Sequence, residues 1–514
     1  MPTPTTPLTR AEATRYEETS RHADVMAFLA ALQAKGDKRL AVSSFGTSPQ
    51  GRDLPLLVLS AHGVATPEQA RALGLPVVLV ISGIHAGEVE GKEGCLMLVR
   101  DLLDGRPGLD AGQILENLTL VVVPLFNPDG NDAIDPGNRR LHLPKLSGQL
   151  GPDSGVGTRV NAAKINLNRD YLRYEGAEMR LLQTRVCQPW AADLTIDNHA
   201  TNGSVHRFSM TYDIPHTVES GRGEPIEYMR SRLLPPVTAA LKANHGLDAG
   251  WYGNFVEDER ALDARGEAEP GAPVREGWMT YPHHPRFGSN YRGLTNRMDL
   301  LLECYSYIPF AERVRTAYAF MLETLRFVAA HRDEVVQTVA ASRSPRERIA
   351  IRYGLEAFER PVEILTRTPR TLEGAPSAVT IPHLGRFVGT RVAERPAAYL
   401  VPPAVAAHLR LHGLATQEAL GTFEAEVPVV EALESEGGRA ILEAAAVGEL
   451  SVSWRRGPRR APAGWALVPT DQPLGAIAAY LCEAESDDGA VENGLLPQPS
   501  PGEELALWRV PDLG

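Results

Sequence analysis

The sequence has 514 residues, of which 43% are hydrophobic and 23% charged, so it is long enough for two or three packed units. Its net charge of −12 argues against a nucleic-acid partner, because phosphate binding needs clustered Lys and Arg side chains. No apolar run is long enough to predict a membrane-spanning helix, and the amino-terminal segment lacks the basic and apolar regions of a signal peptide. We therefore expect a soluble protein without a membrane partner, either cytoplasmic or exported after loss of a preceding signal.

The four cysteines give no sign of a cysteine-based zinc site or a disulfide framework. They are far apart in the sequence and form no C-x-x-C pair: Cys95, Cys187, Cys304 and Cys482. Cys95 and Cys304 lie in apolar runs, which predicts buried thiols.

The first third of the chain has the pattern of an α/β protein. Apolar residues at helical spacing predict a helix over 23–32, and two strand-like pieces around a Gly/Pro/Ser turn follow as a hairpin. The continuous Val, Ile and Leu run at 77–81 predicts a strand covered on both faces, as in parallel sheets. A second such strand is predicted at 118–126. Residues 131–164 show no periodicity, which is typical of a functional or disordered segment.

The middle of the chain continues this pattern. A helix is predicted at 177–190, then a strand that carries Asp197 and His199, then a proline- and glycine-rich cleft wall at 212–281. The wall contains one predicted helix near 226–244 and an acidic stretch at 257–276. An apolar strand then carries Glu303, and a long amphipathic helix over 311–339 closes the domain.

After residue 342 the sequence has short strand-like pieces and frequent Pro and Gly residues. We predict a catalytic domain at 1–342 and a smaller α+β or β-rich accessory domain at 343–514, with one helix at 403–412. Asp487 and Asp488 read as turn residues, and we expect no second metal site there because no cluster of His or Cys residues lies nearby in the sequence.

Two side chains at the end of the 77–81 strand suggest half of a zinc site. Gly83 and Gly87 bracket a tight strand-to-helix turn, which places His85 and Glu88 where open α/β sheets bind their ligands. Zinc accepts this mixture of nitrogen and oxygen donors. The pair alone is equally consistent with a loop histidine that has no metal to bind.

Two other residues, much farther along the chain, add to this pair. His199 supplies a third donor at another strand end, and a catalytic zinc needs three protein ligands and one open position. Glu303 lies inside an apolar strand, where a carboxylate is costly unless it has a partner or a task. It fits either a general base or a salt bridge, for which Arg297 is the candidate partner.

Five motifs occur together in one order: His85-Ala86-Gly87-Glu88, Asn127-Pro128-Asp129-Gly130, Asn168-Arg169, His199 in DNHATNG and Glu303 in LLLECY. In order and approximate spacing, the chain from about Arg15 to about Val339 resembles the zinc metallocarboxypeptidases of the carboxypeptidase A type. The resemblance implies a mixed parallel and antiparallel central sheet flanked by helices. It also implies one Zn²⁺ held by His85, Glu88 and His199, with Glu303 as general base and acid.

The resemblance also assigns substrate-binding residues. Asn168 and Arg169 match the pair that binds the substrate's terminal carboxylate, although Arg169 is also consistent with a helix cap or a surface side chain. For the arginine that polarises the scissile carbonyl we favour Arg139 over Arg140, with Arg159 as the further alternative. The capping tyrosine is Tyr281 or Tyr291, and each fits a core aromatic equally well.

The chain departs from the family pattern in one visible place. Asn166 stands where many members have an aspartate that holds a ligand imidazole, and an amide oxygen accepts that N–H without adding charge. Asp197 is either a compensating partner of His199 or an ordinary strand-end residue. Glu90 and Glu93, at the start of the following helix, are expected to be solvated.

These assignments imply zinc-dependent hydrolysis of a C-terminal peptide or amide bond in a substrate with a free carboxylate. The alternatives are an aspartoacylase-type deacylase of N-acyl amino acids, a cell-wall peptide amidase, and an inactive binding module. Three arginines, Arg286, Arg292 and Arg297, either favour acidic substrates or pair with surface acids such as Glu257 and Asp258. The sequence indicates no oligomeric state.

Overall fold

The computed structural model of the chain describes residues 6–258, 276–434 and 449–513. Most of the acidic stretch predicted at 257–276 therefore lies outside the described residues.

Strands occur in both halves of the described chain. In order they are β1 (Leu40–Thr47), β2 (Asp53–Leu59), β3 (Val77–Ser82), β4 (Thr119–Val123), β5 (Leu194–Thr201), β6 (Met210–Asp213), β7 (Ala249–Trp251), β8 (Asn254–Phe255), β9 (Trp278–Met279), β10 (Met298–Tyr305), β11 (Arg348–Ala357), β12 (Val362–Thr368), β13 (Ala375–Ile381), β14 (His383–Glu394), β15 (Ala398–Val401), β16 (Gln417–Glu418), β17 (Thr422–Glu434), β18 (Glu449–Arg460), β19 (Ala466–Pro469) and β20 (Trp508–Val510).

Helices flank these strands. The longer ones are His22–Gln33, Glu90–Asp104, Leu234–His245, Phe310–Ala330, Arg332–Ala341 and Pro403–Leu411. The shorter helical segments are Arg10–Ala13, Pro67–Leu73, Ala111–Asn117, Pro128–Asp132, Leu143–Lys145, Leu167–Arg169, Ala177–Leu181, Leu182–Cys187, Gln188–Trp190, Glu224–Tyr228, Met229–Leu233, Gly288–Leu294 and Gly475–Cys482. None of the helices in the described ranges is both long and apolar enough to cross a bilayer.

An eight-stranded sheet lies within residues 40–305, in the order β1-β2-β4-β3-β5-β10-β6-β7. Its four middle strands, β4, β3, β5 and β10, run parallel. Strands β1 and β2 pair antiparallel with their neighbours, and β6 is antiparallel to β10 but parallel to the edge strand β7. The predicted mixed sheet flanked by helices is confirmed. Because the parallel strands end at the same edge, the residues that follow β3, β5 and β10 meet there.

The central strands are buried on both faces, as their apolar runs predict. Alternate residues of β3 point into two different cores, with Val78 and Val80 on one side and Leu79 and Ile81 on the other. Helices Glu90–Asp104 and Phe310–Ala330 cover the first face. The second core extends beyond the central sheet to Tyr399, among other residues of the C-terminal part.

The C-terminal part is β-rich, with a six-stranded sheet in the order β16-β19-β15-β20-β17-β18 and the β12–β13 hairpin. A further sheet, β11-β14-β9-β8, joins strands from both sides of residue 342. The division of the chain at that residue remains a prediction.

Two helices differ from the sequence-based expectation. The helix predicted over 311–339 is broken at His331 into Phe310–Ala330 and Arg332–Ala341. The C-terminal part has a second helix, Gly475–Cys482, which was not predicted. All eight of its residues are buried, so the segment lacks the polar face by which an amphipathic helix is identified.

Candidate active site

Three metal-type donors lie together at the carboxyl edge of the central sheet. His85 and Glu88 follow β3, in a turn that begins at Gly83 with a positive φ of 74°. His199 lies in β5, the parallel neighbour of β3. The ligand atoms of the three residues all fall within 4.8 Å of one another, and each residue is at most 4% exposed.

The two imidazole rings are held by partners on their outer sides. His85 Nε2 lies 3.1 Å from Asn166 Oδ1, and His199 Nε2 lies 3.1 Å from Asp197 Oδ1. This leaves the Nδ1 atoms facing each other at 3.2 Å. Asp197 is held in turn by Arg292, whose Nη2 is 3.1 Å from Asp197 Oδ2. Oriented ring nitrogens of this kind are typical of metal-binding histidines.

The donor set fits a metal ion of the zinc type. The facing Nδ1 atoms lie 3.2 Å and 3.0 Å from oxygens of Glu88. Two imidazole nitrogens and a carboxylate in one buried space are the mixture of ligands that zinc binds.

The protonation of these groups also suits metal binding. Burial lowers the pKa of His85 to about 4, with a further contribution from the Arg159 charge. Burial alone would raise the pKa of Glu88, but His85 and Arg139 outweigh it and hold that pKa well below its ordinary value. His85 is therefore a neutral imidazole and Glu88 a carboxylate at neutral pH, the forms in which both side chains bind metals.

His199 behaves differently from His85. Burial acts to lower its pKa, but Asp197 and Glu88 outweigh that effect and raise it well above the ordinary value. Binding of a metal at its Nδ1 therefore releases a proton.

Glu303 faces the same site from the next strand. It lies opposite His199 in the parallel β5–β10 register, so both side chains are on the same side of the sheet. Burial raises the pKa of Glu303 to about 8, with Glu88 adding to the rise and His199 opposing it. Arg297 is engaged elsewhere, with Ala191 O at 2.7 Å and Asp193 at 3.6 Å, which disfavours the salt-bridge alternative.

The arginines that were candidates for polarising the carbonyl have distinct environments. Arg139 donates to Glu88 Oε1 at 2.9 Å, to Ala200 O at 3.0 Å and to Gln149, so its guanidinium is used within the protein. Arg159 Nη1 lies 3.1 Å from His85 Nδ1, and its side chain is 39% exposed. Arg140, the residue after Arg139 in the sequence, is exposed.

Asn168 and Arg169 are joined to the metal-type donors by a single short turn. Asn166 Oδ1, which holds His85, also accepts the backbone N–H of Asn168 at 3.0 Å. Asn168 Oδ1 accepts from Gly288 N at 3.0 Å, which fixes the orientation of its amide. The Arg169 guanidinium stacks on the Phe287 ring at 3.7 Å. Both side chains are thus held from the segment around residue 287.

The two candidate tyrosines are placed differently. Tyr291 is 3% exposed and its hydroxyl bonds His412 Nδ1 at 2.7 Å and the Tyr174 hydroxyl at 3.1 Å, deep in the second core. Tyr281 is partly exposed, and its ring lies 5.5 Å from that of Phe287, the residue beneath Arg169. Of the two, Tyr281 is the one beside the Asn168–Arg169 pair.

Two expected solvated acids are instead buried, and that expectation was wrong. Glu93 accepts hydrogen bonds from Thr19 and Ser20 of the amino-terminal segment, which covers this end of the helix. Glu90 Oε2 lies 3.5 Å from Arg313 Nε. The amino-terminal segment has no feature in the sequence that predicts this docking.

The arginines expected either at the substrate or with surface acids are paired with acids that are buried or partly buried. Their partners are Asp488 for Arg286, Asp197 and Asp299 for Arg292, and Asp193 for Arg297. Glu257 and Asp258 lie near Arg370 instead, at 3.7 Å.

A second group of metal-type side chains forms where none was expected from the sequence. His283 and His284 meet Asp487, with the ligand atoms within 4.8 Å. Both oxygens of Asp487 already have protein partners, His283 Nε2 at 2.7 Å and the Tyr480 hydroxyl at 2.6 Å. These contacts describe a hydrogen-bonded junction between two distant parts of the chain.

Residues 25–193 match the family model described as zinc carboxypeptidase, a range that contains His85, Glu88, Asn168 and Arg169. Carboxypeptidase 2 of Trichophyton tonsurans is 22% identical over 480 residues, which cover 90% of this chain and 81% of the fungal protein. Carboxypeptidase D of Drosophila melanogaster is 30% identical over 167 residues, covering 32% of this chain and 11% of the fly protein.

Two solved structures to which the chain is similar are described as metallo-carboxypeptidases. A metallo-carboxypeptidase from Burkholderia cenocepacia is 17% identical with a TM-score of 0.41, covering 60% of this chain and 69% of its own. A metallo-carboxypeptidase from Pseudomonas aeruginosa, in complex with (2-guanidinoethylmercapto)succinic acid, is 19% identical with a TM-score of 0.39. The match covers 61% of this chain and 69% of that one.

Proposed function

We propose that the chain, of which residues 25–193 match the zinc carboxypeptidase family model, removes the C-terminal residue of peptides that end in a free carboxylate. One observation supports this most directly. The turn at Asn166 connects the ring of His85 to Asn168 and Arg169, so a carboxylate-binding pair stands next to a metal-type donor set. A site with this arrangement binds a chain end beside the bond to be cleaved.

Asn168 and Arg169 dock the terminal carboxylate. Because Gly288 N holds the amide oxygen of Asn168, the NH₂ group of that side chain is directed to the substrate as a donor. The guanidinium of Arg169 is charged and planar, and the face of Phe287 holds its orientation. Together they bind both carboxylate oxygens.

His85, Glu88 and His199 would hold the zinc ion. When bound there, zinc polarises the scissile carbonyl and lowers the pKa of the attacking water. Arg139 keeps Glu88 in place through the 2.9 Å contact to its Oε1. Of the two candidate arginines that contact the donor set, Arg159 has the more exposed side chain, 39% against 15% for Arg139, and we assign it the developing oxyanion.

Glu303 moves the proton. Its carboxylate takes a proton from the attacking water and delivers it to the nitrogen of the leaving amino acid. Its place opposite His199 puts it on the reacting side of the sheet.

The experiment is a digest of a peptide library with and without a chelator, read by mass spectrometry, with N-acyl amino acids assayed beside it. We expect loss of single C-terminal residues, abolished by the chelator and restored by zinc. Cleavage of N-acyl amino acids alone would favour the deacylase, and zinc binding without turnover of either class would favour a binding module.

A further inference from the structure

The segment that holds the carboxylate-binding pair is itself held by the C-terminal part of the chain. We call residues 283–288 the clamp loop and residues 485–488 the acidic turn. On one side, Phe287 and Gly288 of the clamp loop contact Arg169 and Asn168. The acidic turn contacts the other side of the same loop.

Asp488 makes the strongest of these contacts. Its carboxylate accepts from the backbone N of Arg286 at 2.8 Å and from Arg286 Nε at 2.9 Å, and Nη2 lies 2.7 Å away. Arg286 and Asp488 are at most 1% exposed. A charged pair buried this completely, with both the backbone and the guanidinium engaged, fixes the position of the residue that carries it.

The neighbouring residue adds a second contact. Asp487 Oδ2 lies 2.7 Å from His283 Nε2, at the start of the clamp loop. Asn493 Nδ2 donates to Asp488 Oδ1 at 3.0 Å and to Asp488 O at 2.7 Å, which holds the acidic turn from behind. The acidic turn thus fixes the clamp loop at two positions, His283 and Arg286.

Close contacts restrict the movement of the backbone between Arg286 and the residues that hold Asn168 and Arg169. Arg286 O accepts from Tyr171 N at 3.4 Å, and a Cβ at Gly288 would lie 2.8 Å from the Tyr171 ring. A shift of Arg286 therefore moves Phe287 and Gly288 relative to Arg169 and Asn168. Displacements well below a bond length matter for a bidentate contact.

We propose that Asp488 is a positioning residue for substrate binding: through Arg286 it sets the clamp loop on which Asn168 and Arg169 rest, so that the C-terminal part of the chain completes the carboxylate site. This rests on the proposed function, because it assumes that the pair binds a terminal carboxylate. It gives the C-terminal part a role in recognition of the substrate without contact to it.

The test compares one peptide in its free-acid and amidated forms, for the wild type and Asp488→Asn, with kcat and KM measured separately. We expect Asp488→Asn to raise KM for the free acid roughly tenfold with kcat within about twofold, while the slow turnover of the amide stays unchanged. Zinc content stays at one ion per chain. A general loss of structure would lower both activities and the zinc content together.

The matched control is Glu485→Gln in the same turn. Glu485 binds Arg391 of β14 instead of the clamp loop, so this variant should keep both activities. Should Asp488→Asn fail to fold, Arg286→Lys keeps the charge but loses the guanidinium fork, and the same selective rise in KM is expected. An unchanged preference for the free acid in whichever of these variants folds, or an equal loss for acid and amide, overturns the proposal. If the wild type shows no preference for the free acid, the proposed function fails. If the wild type shows the preference and only the variants depart from the prediction, the positioning role of Asp488 fails.

Discussion

At the scale of single residues, the site depends on side chains whose charge states are set by burial and by one or two neighbours. His85 is kept neutral and Glu88 ionised, whereas burial raises the pKa of the Glu303 carboxyl group to about 8. These different charge states suit the two tasks proposed for the carboxyl groups, a metal ligand and a proton carrier.

Replacement of Glu303 by Gln tests the second task. The amide keeps the shape of the side chain but cannot accept a proton, so we expect kcat to fall roughly 10³-fold. Zinc measured by mass spectrometry of the purified variant should remain at one ion per chain. Full turnover with zinc bound would contradict the role of Glu303.

Asp213 gives a test of burial that is separate from the metal donors. Burial raises its pKa to about 7, while Thr280 and the backbone N of Ile214 donate to its carboxylate. The folded state therefore favours the neutral acid, and its contribution to stability is complete below the ordinary pKa near 4. That contribution is lost as the pH rises to about 7.

Asp213→Asn should remove this pH dependence, because an amide keeps an acceptor for Ile214 N and has no charge to bury. We expect the variant to gain on the order of 3 kcal/mol in unfolding free energy over the wild type between about pH 5 and about pH 8. Denaturant unfolding of both proteins at the two pH values measures it. A constant difference between the proteins would show that Asp213 does not titrate in this window.

At the scale of elements, the site depends on how closely helix Glu90–Asp104 approaches β5. A Cβ on Gly91 would lie 2.4 Å from the Cβ of Asn198, the residue before His199. The helix begins two residues after Glu88, so its position sets the distance between Glu88 and His199. Glycine is the residue that allows this approach.

Gly91→Ala should therefore push the helix away from β5. We expect a loss of about 1–3 kcal/mol in unfolding free energy and weaker zinc binding, measured by denaturant unfolding and by competition with a chelator. The matched control is Gly112→Ala in helix Ala111–Asn117, where an added Cβ has no neighbour within 4 Å. This control should gain up to about 1 kcal/mol and bind zinc as before. Equal behaviour of the two variants would contradict the close approach.

The elements also show what local sequence predicts. The strand before His85 and the strand around Glu303 are apolar runs, and their pattern predicts both the strands and the placement of the two residues at one sheet edge. Helix Gly475–Cys482 has no polar face, and periodicity does not identify it. The burial of Glu93 is likewise not identified by the local sequence, since its partners Thr19 and Ser20 lie in a segment without a periodic pattern.

At the scale of the whole molecule, contacts between distant parts of the chain were not predictable. Arg286 and Asp488 are 202 positions apart, and His283 and Asp487 are 204 apart. From the sequence, Asp487 and Asp488 read as turn residues and Arg286 as an arginine for acidic substrates or surface acids, because only the folded chain shows that the pairs are buried. The metal-type donors were predictable because their order along the chain resembles a known family.

Contacts from the C-terminal part reach both the central sheet and the clamp loop. The second core contains Ile81 of the central sheet together with Tyr399 and Ile477 of the C-terminal part. The same C-terminal part reaches the clamp loop through Asp488. We infer that the two parts fold and bind substrate together.

The most direct test of the account is the ratio of kcat/KM for one peptide as its free acid and as its C-terminal amide, measured on the zinc-loaded wild type by mass spectrometry of the products. From the proposed role of Asn168 and Arg169 in binding a charged carboxylate, we predict a preference of roughly 100-fold or more for the free acid, with release of a single C-terminal residue. Equal rates on the two peptides, or cleavage at internal bonds, would contradict the assignment.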